Sequence, residues 1–322
     1  MIEHLRLIRL QGNGNPDVLE QEDVDAAVTL VHHLRRWAVQ QYRERCMKES
    51  FPKKFARHTV HLAEQLAAHM ERVLEHGNAL VRHILAVPAE KQTEEKEKTL
   101  ARQMREIEFA LLMHECAKLN PESAGGVNPD AHLEETCRDA LAFLADFRRK
   151  RKPLAERMTA MVEVSGSSYS TYAKRTGVRT PATVEEAIVF AAVNLDAVDF
   201  WGAHSIVWIR QHPHRREMPE RATETVGASL AFAKRMRDDA ANAVCGLQLR
   251  KMHPSALGVI YNYGAAYWKR SGRFFAFFEE RPPATFMEFR GGFNEFLRRE
   301  LEHGNLGWCV SRRGPLDSEQ GS

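Results

Sequence analysis

Residues 109–119 read FALLMHECAKL. Five apolar side chains, Phe109 to Met113, run straight into His114 and Glu115, with Lys118 one turn further on. An apolar run of this kind reads as a buried helix, yet ionisable groups stand where such a helix would carry Leu. Burying a charge is costly unless it is paired or bound to a metal. The stretch therefore marks either the polar border of an amphipathic helix, with Glu115 and Lys118 solvated, or a site.

Outward from this stretch, helical spacing dominates. Upstream, the turn-rich QGNGNP at 11–16 precedes a stripe of Val24, Ala27, Val28, Val31, Leu34 and Ala38, with the three-and-four spacing of a helix face. After Pro52 a second helix carries Phe55, Leu62, Leu66, Met70 and Val73, and Gly77-Asn78 is its expected stop. The charged segment 89–98 leads into the helix of the opening stretch, which should end at Asn120-Pro121. Further helices are expected at about 131–147, 154–164, 183–200 and 220–243. Short strands are expected at most in YWKRSGRFFAFF (267–278) and GWCVSRR (307–313). The fold class is mainly α. We divide the chain into a helical N-terminal extension (1–50), a helical core (51–211) and a C-terminal subdomain with a disordered tail (212–322).

With 322 residues, 43% apolar and 28% charged, the chain has an ordinary globular composition. A net charge of +3 and a pI near 8.6 are too mild to announce a nucleic-acid binder, so local clusters must carry that reading. Five scattered cysteines (46, 116, 137, 245 and 309), with no C-x-x-C pair, read as reduced thiols. No apolar run approaches the ~20 residues of a membrane span, and MIEHLRLIRL lacks a signal-peptide core. The expected location is the cytoplasm, with no membrane partner.

Several groups could meet His114. RHTVHLAEQLAAHM (57–70) sets His58 beside an apolar stripe with His61 nearby, and VEEAIVFAAVNLDAVDFWG (184–202) sets Asp196 and Asp199 in an otherwise apolar helix. Imidazoles and carboxylates projecting from different helices suit a divalent metal that leaves positions open for water and substrate oxygen. The other histidines near this region, His61, His69, His76 and His83, are expected on helix surfaces or at caps. H-E-x-x-H peptidase chemistry is excluded, because Lys118 occupies the second His position.

RHTVHLAEQLA resembles the first motif of the HD superfamily of metal-dependent phosphohydrolases, and FALLMHECAKL resembles its central apolar-His-Asp-x-x-Lys motif. NPDAHLEETCRDALAFL resembles the region where many members place another His, here His132. EEAIVFAAVNLDAVD resembles the helix bearing the last metal Asp. The resemblance spans about 55–200. It implies an HD-like helical bundle with His58, His114, Glu115 and Asp196 holding a divalent metal (Mn, Mg, Ni or Fe). It also implies Lys118 on substrate phosphate and hydrolysis of a nucleotide or nucleic-acid phosphodiester. Three departures accompany it. Glu115 is one methylene longer than the family's Asp, the tightest alignment of the last motif puts Val193 where the family has Asp, and the His-His pair between these motifs is replaced by MVEVSGSSYSTY. A catalytically degenerate HD-like protein that binds nucleic acid or a protein partner, and a structural helical interaction protein, are the other readings.

Two further stretches bear on binding. RRKRK, Arg148, Arg149, Lys150, Arg151 and Lys152, places five adjacent cations at a helix end. It reads either as a phosphate-binding patch or as dipole complementation and solvation. The aromatic-basic run at 267–278 reads as core packing, with stacking of single-stranded bases as the alternative.

Overall fold

The computed structural model describes residues 53–85, 93–114, 152–165, 181–211, 223–246 and 254–304. Among them are eight helices and no strand: α1 (Lys53–Ile84), α2 (Glu94–Met113), α3 (Lys152–Ser165), α4 (Val184–Val198), α5 (Phe200–Gln211), α6 (Val226–Cys245), α7 (Pro254–Glu280) and α8 (Phe286–Glu302). The mainly α expectation holds for these residues. The N-terminal extension, the helix expected at 131–147 and the tail lie outside them.

α4 is the centre of the bundle. Every residue from Glu186 to Val198 is buried, and α1, α2, α3, α6 and α7 all pack against it. A helix apolar nearly all round can only be a core helix, and VEEAIVFAAVNLDAV has that character. Its start is fixed locally. The Thr183 hydroxyl accepts from the Glu186 amide at 3.2 Å, and Glu186 Oε2 accepts from the Ala182 amide at 2.7 Å, a reciprocal arrangement close to a capping box. Thr285 and Glu288 repeat it at the start of α8. Thr183→Ala should lower stability by about 1 kcal/mol in denaturant titration; an unchanged midpoint would show that packing alone sets where α4 begins.

Two expected boundaries move. α1 does not stop at Gly77 but continues to Ile84. A Cβ at position 77 would overlap the Leu111 side chain of α2, so the glycine serves close helix packing rather than termination. The helix expected over 183–200 breaks at Asp199, which is extended (φ −74°, ψ 157°). Its carboxylate Oδ1 accepts from the Phe200 amide at 2.8 Å, opening α5. Gly202 lets the first turn of α5 cross closely over α4, because a Cβ there would overlap the Asp196 carbonyl oxygen.

A second, aromatic core joins α5, α7 and α8 through Phe200, Phe274, Phe275, Phe277, Phe278, Phe289, Phe293 and Phe296, and α6 packs into it through Val226 and Ala233. The strand expected at 267–278 is replaced by the C-terminal half of α7. Tyr267, Arg270, Phe274, Phe277 and Phe278 are buried at helical spacings of three, four, three and one, which is a core stripe with period 3.6 rather than 2. GWCVSRR lies outside the described residues. In α8, a Cβ at Gly292 would stand 2.9 Å from the Phe278 ring. Gly292→Ala should therefore cost about 1–3 kcal/mol by overpacking, despite the better helix propensity of Ala; a gain in stability would show that the Phe278 ring yields freely.

Candidate functional site

The bundle holds a buried polar layer built from five helices. α1 presents His69, Arg72 and His76, which three-and-four spacing aligns on one stripe with Val73 and Leu80. α2 ends at His114, α4 supplies Asp196, α5 supplies Ser205, and α7 supplies Tyr267 and Arg270.

At its centre is Asp196, 3% exposed. Arg72 Nε donates to Oδ1 at 2.5 Å and Arg72 Nη2 to Oδ2 at 3.1 Å, and Nη2 also reaches Ser205 Oγ at 3.4 Å. His69 Nδ1 donates to Oδ2 at 2.6 Å. Burial alone would push the Asp196 carboxyl up. The charges of Arg72 and His69, with their hydrogen bonds, outweigh it and hold the group well below the usual carboxylate range. Burial likewise opposes the charge on Arg72, but Asp196, and at longer range Asp199 and Glu75, raise its pKa.

His114 is 4% exposed. Its Nδ1 donates to the carbonyl of Leu111, one turn back, at 2.5 Å. Its Nε2 lies 3.2 Å from Nε2 of His69, and the two rings cross at 67° rather than stack. His114 and Asp196 are thus linked through His69. Among the described residues no group of three or more His, Cys, Asp or Glu converges as a ready metal cluster.

The layer continues toward α7. Asp199 is clasped by Arg270 at 2.9 and 3.3 Å, and its burial still outweighs that partner, so its pKa is raised. His76 Nδ1 and the Tyr267 hydroxyl stand 3.2 Å apart, while His76 Nε2 has no hydrogen-bond partner. Burial, helped by the charges of Arg72, Arg270 and His69, pushes His76 down to about 4.

Of the residues expected in the site, the structure brings His114 and Asp196 into one connected cluster. Glu115, Lys118 and His132 lie outside the described residues, as do Arg148, Arg149, Lys150 and Arg151; Lys152 opens α3. His58 is on α1, eleven residues before His69, roughly 16 Å of helix. Val193 is buried core. Asp199 is a helix-capping, ion-paired residue. His69 and His76, expected on the surface or at caps, are instead inside the layer. The signal was present: His69, Val73, His76 and Leu80 recur at four, three and four, the stripe that Val73 and Leu80 alone mark as inward. The aromatic-basic run of α7 is structural. Arg270 is ion-paired to Asp199, Arg273 to Glu300, and the exposed Trp268 ring is covered by Arg237 at 4.0 Å. No helix among the described residues is long and apolar enough to cross a membrane.

No protein-family model, curated protein or solved structure matches the chain.

Proposed function

We propose that the chain is a metal-dependent phosphohydrolase acting on a nucleotide or nucleic-acid phosphodiester. One observation carries the reading: His114, the His of the stretch that resembles the HD motif, is buried with its Nδ1 turned to its own helix, so that Nε2 faces a second imidazole beside an ionised carboxylate. A divalent metal bound there would lower the pKa of a water molecule and neutralise charge on a phosphoryl group. His114 would hold it, Asp196 would supply negative charge in its immediate surroundings, and Arg72 would keep that carboxylate ionised. Glu115, by the resemblance, would join the set and Lys118 would contact the phosphate, whereas His58, roughly 16 Å of helix before His69, is not part of it. The purified protein, loaded in turn with Mn²⁺, Ni²⁺, Fe²⁺ and Mg²⁺, should hydrolyse a bis-aryl phosphodiester, and His114→Ala should abolish turnover. No turnover with any of the four ends this reading.

A second reading is favoured by the way Arg72 engages both oxygens of Asp196: an HD-like scaffold that binds nucleic acid without catalysis. Cations that neutralise phosphates release counterions, so affinity should fall linearly with log salt, by roughly 0.9 per phosphate on duplex DNA. Changing residues 148–152 to Ser should then flatten that slope. An unchanged slope would reduce RRKRK to a solvated helix end.

A further inference from the structure

We draw no further inference here: the strongest candidate, the buried His76–Tyr267 pair between α1 and α7 with its unpartnered His76 Nε2, belongs to the polar layer already described, and nothing among the described residues shows what that nitrogen would bind.

Discussion

Arg72→Ala should lower the unfolding free energy by about 3–5 kcal/mol, the usual consequence of removing one member of a buried ion pair. Arg72 reaches from α1 to α4 with two hydrogen bonds to a carboxylate that is almost fully buried. Without the guanidinium, Asp196 keeps its unfavourable desolvation and loses the larger of the two charges that offset it. The damage would come from the stranded carboxylate more than from the lost pair. The double variant Arg72→Met/Asp196→Asn should therefore recover most of the stability, since replacing both members of a buried pair with uncharged groups is often close to neutral. Urea titration of parent, single and double variants measures this. A single-variant loss below about 1 kcal/mol, the range of exposed pairs, would mean that water reaches Asp196 once Arg72 is gone.

The second large effect is loss of stability in mild acid. His76 is pushed down to about 4 and His204 to about 3; burial is the main cause in both, with Arg72 and Arg290 adding repulsion at His204. The His204 ring lies stacked on Phe293, centroids 3.8 Å apart. Both groups refuse a proton in the folded state that the unfolded chain accepts below about pH 6.5. Their contribution to stability is thus fully present above that pH and is lost as pH falls through the interval down to about 4 and then about 3. For His76 alone the loss is on the order of 3 kcal/mol by linkage. Asp196, held low, adds its own loss further into the acid range. The midpoint of denaturant unfolding should fall steadily from pH 7 to 4, and His76→Phe should flatten part of that fall. A midpoint independent of pH across this interval would show that both imidazoles take up protons in the fold.

How much of this was legible in the sequence varies by element. The stripes of α1, the apolar run of α4 and the helix near 154–164 were readable, because core contact and helical period coincide in them. The corner at Asp199 was not, since VNLDAVDFWG continues the apolar pattern without Gly or Pro until residue 202; one capping carboxylate and one arginine from α7 decide it. YWKRSGRFFAFF reads as partly strand because aromatic residues favour strands on average, while in the fold their three-and-four spacing suits a buried helix. In the site, His114 and Asp196, both singled out in the sequence, stand in one cluster joined through His69. His69 reads as a surface residue, because a His on an amphipathic stripe looks like surface until the facing helix shows a carboxylate. Arg72, Tyr267 and Arg270 had no sequence signal, for their partners lie more than a hundred or about seventy residues away or, for Tyr267, nearly two hundred.

α4 has no face of its own to give to water, and the helices that cover it come from as far apart as residues 53–84 and 254–280. Such a segment cannot settle early against a local neighbour. It must wait until chain on both sides has closed around it, so folding is dominated by contacts distant in sequence and is slower than helical content alone implies. By the same reasoning, a nascent chain leaving the ribosome carries α4 only partly covered until α6 and α7 have emerged, and holds an aggregation-prone apolar segment for that time. In the finished protein, the amide protons of 187–197 should be the last to exchange with deuterium, opening only when the whole bundle does.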